Sequence, residues 1–160
     1  MSMARTVTIA PVKKTVVVEV SQAHAFDVFT NGVDRWWPKE HHIGKTPVVK
    51  EFIEPRKGGR WYSKHEDGSE VINGHFQVWD PPKRIVWSWE ISGKWQPESD
   101  LSLTSEVEVR FIAEGPNRTR VELEHRNFER MPEGGREMRD GVDSGWPGIL
   151  DEFRKVAEAK

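Results

Sequence analysis

From Pro47 to Arg126 the hydrophobic pattern runs at a period of two, segment after segment, with turn residues between the segments. This run constrains the fold more than any other feature, because consecutive short strands joined by tight turns make an antiparallel sheet with one apolar face. Strands are expected at 47–54, 60–66, 71–79, 84–91, 104–113 and 118–126. The intervening "PRKGG", "EDGS", "DPPK" and "EGPN" are all turn chemistry. Upstream, the valine-rich stretch from Lys14 to Val20 reads as a first strand. Ser21 then offers an N-cap for a helix through Thr30. Asn31-Gly32 stops that helix, "DRWWP" allows one more short helical turn before Pro38, and 39–46 reads as loop.

An apolar sheet face has to be covered, and the final segment supplies the cover. After Met131-Pro132 the residues Trp146, Ile149, Leu150, Phe153, Val156 and Ala157 follow helical spacing. The expected class is therefore α+β: a strand, two short helices, six strands and a long C-terminal helix. No repeat, linker or low-complexity tract divides the chain, so residues 1–160 are expected to form one domain.

Parity assigns the faces. On the fifth strand Ile85, Trp87, Trp89 and Ile91 point one way, against Val86, Ser88 and Glu90. Val107, Val109 and Phe111 on the sixth strand and Val121, Leu123 and His125 on the seventh share the inward face. Their outward neighbours mix Glu and Arg, as cross-strand ion pairs on a solvated face would. Trp95 falls in the loop after the fifth strand, where parity does not reach.

Composition matters chiefly through its tryptophans, 8 in 160 residues against a single Tyr. Trp61, Trp87, Trp89 and Trp146 are expected inside, with Trp36 and Trp37 near the mouth of any cavity and Leu150 beside them. Each ring is read either as core packing or as the wall of a pocket for a flat, apolar ligand. His125, on the inward face of the last strand, is either a satisfied core imidazole or an acid–base group. His65 shares the face of Trp61 or is solvated near its turn. The direction of His75 is left open by a bulge expected near "QVWDPP". The adjacent loop residues His41 and His42 do not suit one metal ion.

The charge balance, 24 basic and 26 acidic residues, offers no basic face for nucleic acid or anionic lipid. The absence of cysteine excludes disulfides and thiolate metal sites. No bound metal or cofactor is expected, and no nucleophile elbow, phosphate loop or dinucleotide fingerprint is present. The match "NRT" at Asn117 to a glycosylation sequon is read as chance. The first twenty residues lack the apolar run of a signal peptide, and no segment is long and apolar enough to span a bilayer. The expectation is a soluble cytoplasmic protein, a monomer or weak homodimer.

"FDVFTNGVDRWWP", "PRKGGRWY", "GHFQVWDPPKRIVWSWE", "TRVELEHRNFE" and "GWPGILDEF" occur in the order seen in the family named after the activator of the heat-shock-protein-90 ATPase. The chain resembles that family, which lies in the START and birch-pollen-allergen (SRPBCC) superfamily. The resemblance implies a helix-grip fold: a curved seven-stranded antiparallel sheet wrapped around a long C-terminal helix, with a cavity between them. It carries three functions. The first is a stand-alone module binding a small hydrophobic or aromatic molecule. The second is a cyclase or dehydratase using His125, and the third is a chaperone partner. The third is the weakest, since the eukaryotic activator has a further N-terminal domain not found in this sequence.

The chain departs from its relatives at Pro147-Gly148, after Gly145-Trp146. Proline cannot donate to the carbonyl of Asp143, so the final helix is expected to kink or restart near Trp146. Gly141, Gly145 and Gly148 form a small-residue stripe that brings the helix close to the sheet or leaves room for a ligand. Gly134, Gly135, Gly141 and Gly145 each lower helix propensity by about 1 kcal/mol, so the first half of that helix is expected to be the mobile one.

Overall fold

The computed structural model describes residues 8–41 and 43–159. Strand β1 (Val12–Val18) leads into helices α1 (Gln22–Thr30) and α2 (Val33–Trp36). Five strands follow: β2 (Val48–Ile53), β3 (Arg60–His65), β4 (Glu70–Asp80), β5 (Arg84–Trp89) and β6 (Ser105–Gly115). Strand β7 (Arg118–Arg126) and helix α3 (Gly135–Glu158) complete the chain. The strands form one antiparallel sheet in the order β1-β7-β6-β5-β4-β3-β2, curved around α3. The connection through α1 and α2 carries the chain from one edge strand to the other. This is the helix-grip α+β architecture.

Local signals explain most boundaries. The Ser21 side chain accepts from the His24 N–H and starts α1. β1 ends at Val18 rather than Val20 because the ladder with β7 closes at Val18–Thr119. Beyond it Glu19 N–H turns to the Glu158 carboxylate, at 2.9 Å. Bulges interrupt the β3–β4 ladder between Trp61 and Tyr62 and the β4–β5 ladder between Phe76 and Val78.

The inward rows lie where parity puts them. Ile85, Trp87, Val107, Val109, Phe111, Val121, Leu123 and His125 are all buried against α1 and α3. The outward face is drier than expected. Val86, Ser88 and Glu90 are buried too, as is Glu108. Parity says which way a side chain points, not what lies over it. Here Arg84, Arg110 and Arg126 fold their long side chains over Glu108, with Glu106 and Glu124 bound to Arg126. Burial alone would raise the Glu108 carboxyl, but hydrogen bonds from Arg126, Arg84 and Arg110 hold it down to about 2. His75 also points outward, with Nδ1 at 2.6 Å from Glu90 Oε2, which accepts from Ser88 Oγ as well.

The expected restart of the helix near Pro147 does not occur: α3 runs unbroken from Gly135 to Glu158. Pro147 is exposed, beside the groove between α3 and β1, and its missing donor costs the helix one ladder bond. Met138, Val142 and Trp146 before it, and Ile149, Leu150 and Phe153 after it, bury both segments against the sheet.

Candidate functional site

The rings of the concave face do not fill it. Between α3, the strands β3–β5 and the loop after α2 lies a cavity of about 220 Å³. Trp37, Trp61, Trp87, Trp89, Trp95 and Trp146 line it, with Ile43, Ile91, Val142 and Ile149 between them. The buried rings form a continuous fence of edge-to-face and tilted pairs. Their centroid spacings are 5.2 Å for Trp87–Trp61, 4.8 Å for Trp61–Trp37, 5.9 Å for Trp37–Trp146 and 5.8 Å for Trp146–Trp89.

Each ring has a local cause. β-strand alternation aims Trp87 and Trp89 from β5 and Trp61 from β3. Helical spacing puts Trp146 beside Val142 and Ile149, and Trp37 closes α2 with its N–H on the carbonyl of Val33. The opening between the rings exists because α3 has glycine where it crosses them. A methyl group on Gly145 would meet no atom within 4 Å, and one on Gly141 would touch only the Trp95 ring, at 3.4 Å. The small-residue stripe thus leaves room at 141 and 145.

Polar groups are sparse: Glu40, His41 and Asn73 border the cavity. His42 lies outside the described residues. Trp61 Nε1 and Trp89 Nε1 are buried donors without a hydrogen-bond acceptor. Behind Trp61 stands Glu51, 3% exposed, with Oε2 also unpartnered. Burial, and then the neighbouring Asp34, push its carboxyl up to about 8. Lys39 and the Trp61 indole pull the other way, the indole without closing a hydrogen bond of good geometry. Glu51 is therefore a neutral acid at pH 7.

Of the residues singled out from sequence, Trp37, Trp61, Trp87, Trp89 and Trp146 come together around the cavity; Trp36, Leu150 and His125 lie outside its walls. Trp36 sits in the core on Phe29 and Phe153 and donates to the carbonyl of Val28 at 2.9 Å. Leu150 packs in the core and borders a shallow groove against β1. His125 is fully buried behind Trp89 and Trp146. Its Nδ1 accepts from Trp146 Nε1 at 3.2 Å, and an indole nitrogen only donates, so the proton sits on Nε2 and is given to Ser105 Oγ at 2.8 Å. Burial lowers its pKa to about 3. This imidazole is neutral and satisfied. His65 is buried in the same manner, with Nδ1 at 2.6 Å from the carbonyl of Thr46 and Nε2 at 2.8 Å from Ser63 Oγ.

Sequence reasoning missed Trp95, Asn73 and Glu51. Parity does not extend into the Trp95 loop, and the bulge between Trp61 and Tyr62 displaces Asn73. Glu51 follows the irregularity between Val48 and Lys50 in an edge strand. Among the described residues no cluster of His, Asp and Glu could hold a metal ion, and no helix is long and apolar enough to cross a membrane.

Comparison with known proteins agrees with this architecture. The anthrahydroquino-γ-pyrone synthase Txn09 is 39% identical, over 93% of this chain and 97% of that one, with a TM-score of 0.67. CalC from Micromonospora echinospora, a self-sacrificing resistance protein, is 31% identical over 92% and 93% of the two chains, with a TM-score of 0.66. Protein NE0264 from Nitrosomonas europaea, 14% identical over 92% and 93% with a TM-score of 0.63, shares the fold. No curated protein matches the chain. Residues 6–158 match the family described as Activator of Hsp90 ATPase homolog 1-like protein, and the chain belongs to that family, within the SRPBCC superfamily.

Proposed function

We propose that the protein binds a flat, polycyclic aromatic molecule in the tryptophan-fenced cavity. One observation carries this reading: five buried indoles surround a space in which α3 presents Gly141 and Gly145 between Val142, Trp146 and Ile149, so that part of it stays unfilled. A well-packed core closes such gaps, because an empty volume forfeits dispersion contacts on every wall. Flat π-faces and few polar groups select a planar apolar ring system with a small number of oxygens at its rim. The relative at 39% identity supports the class, since it is named for synthesis of an anthrahydroquino-γ-pyrone.

Titration of the intrinsic tryptophan fluorescence, paired with thermal melts, tests the reading across hydroxyanthraquinones, flavonoids and fatty acids. Planar polycycles should quench and raise the melting temperature, by about 2.7 kcal/mol of added stability at a hundredfold excess over Kd. Quenching by fatty acids alone would point to a lipid carrier, and no response across the panel would leave the rings as core.

A second reading, cyclisation of an aromatic precursor, is favoured by the identity to a synthase. His125 is sealed and neutral, so acid–base work in the cavity would fall to Glu40 and His41 at its border. Turnover lost in His41→Ala or Glu40→Gln, with binding kept, would support it.

A further inference from the structure

The turn that carries Trp95 has a backbone unsuited to its residue. Ser92 N–H donates to the carbonyl of Gln96 at 2.7 Å, and Trp95 N–H to that of Ser92 at 2.9 Å, which leaves Gly93, Lys94 and Trp95 as a three-residue hairpin loop. In such loops the last residue turns left-handed and is ordinarily glycine. Here it is tryptophan, at φ 58°. A bulky side chain in that region is strained, and such strain collects at ligand clamps. The ring is also only half covered, 48% exposed, although it lines the cavity and its edge rests over Gly141 of α3. Packing alone would favour glycine for the backbone and burial for the ring, and this position has neither.

We propose that Trp95 is the outer stacking surface for the ligand, held over the cavity mouth by its strained turn so that a planar ring system extending beyond the fence rests on it. The inference builds on the reading of the cavity as an aromatic-ligand site and names the shape of the occupant: a ring system too long for the cavity alone. The volume agrees, since about 220 Å³ is less than the roughly 300–1,000 Å³ of ordinary small-molecule sites. The turn is also anchored. A methyl group on Gly93 would stand 2.2 Å from the carbonyl oxygen of Glu133, so the hairpin tip is in close backbone contact with the start of α3. Ligand stacked on Trp95 is thereby coupled to the glycine-rich half of that helix.

The test uses 1,8-dihydroxyanthraquinone and the variants Trp95→Gly, Trp95→Asn and Trp95→Phe. Glycine and asparagine both tolerate the left-handed region and remove the ring. Each should weaken binding about tenfold, mostly through faster dissociation, while melting no lower than the parent. Phenylalanine should retain most of the affinity. Unchanged affinity in the glycine and asparagine variants, or equal weakening in the phenylalanine variant, overturns the role of Trp95 while leaving the cavity reading in place. No binding by the unsubstituted protein overturns both.

Discussion

At one end of the concave face Phe29 meets Phe111 and Phe153 at 5.6 and 5.2 Å, and Phe26 meets Phe111 at 5.2 Å, and none of these rings lines the cavity. At the other end five buried tryptophans, larger rings, stand around an opening. Both ends use the same sheet and the same helix. What differs is the helix residue opposite the rings: Phe153 at the closed end, Gly145 and Gly141 at the open one. Ring size therefore does not decide whether a core closes. The residue that α3 presents does, and a cavity can be written into a helix by glycine.

The strongest contrast should appear in stability. Phe153→Ala removes a ring packed on every side and should cost about 3–5 kcal/mol in urea denaturation. Trp37→Ala deletes a larger ring that already borders open space, and should cost less. Equal or reversed costs would erase the distinction between the two ends.

A smaller effect follows from Glu51 behind the open end. The folded carboxyl keeps its proton to about pH 8, whereas an unfolded glutamate releases it near 4.5. Stability from this group therefore falls as pH rises from about 4.5 to about 8 and levels off above that. Glu51→Gln should abolish the slope between about pH 6.5 and 8 and stabilise the protein at pH 9 by about 1–3 kcal/mol, since no buried charge then lacks a partner. His125 acts in the opposite sense. The folded imidazole stays neutral to about pH 3 while an unfolded histidine protonates near 6.5, so its contribution is lost as pH drops from 6.5 toward 3. A stability profile that rises steadily from pH 4.5 to 8 in the parent would contradict the placement of Glu51.

The sheet and its inward rows were legible because β5, β6 and β7 alternate without interruption, and Ser21 marks a helix start by its own chemistry. Trp87 and Trp89 could be aimed inward for that reason. Alternation carries no account of cover, so the burial of Glu108 beneath three arginines was invisible in it. Local proline chemistry misled at Pro147, where sheet packing on both sides outweighs one lost bond. Trp95, Asn73 and Glu51 lie at a turn, a bulge and an irregular edge, where the period that reports direction is broken.

The smallest effect concerns the two halves of α3. The glycines at 135, 141 and 145 weaken the segment over the open end, whereas Leu150 and Phe153 clamp the other. Amide exchange should be faster over 136–145 than over 149–157, and ligand should slow the first segment selectively. Equal protection would move the gate to the loop between α2 and β2.

The central claim is that the gap beside Gly145 is a binding site rather than a packing fault. Calorimetric titration of 1,8-dihydroxyanthraquinone into the parent and Gly145→Leu tests it most directly. A leucine there projects into open space, so the variant should fold at least as stably while binding disappears. If Gly145→Leu binds as the parent does, the ligand lies elsewhere and the account is wrong.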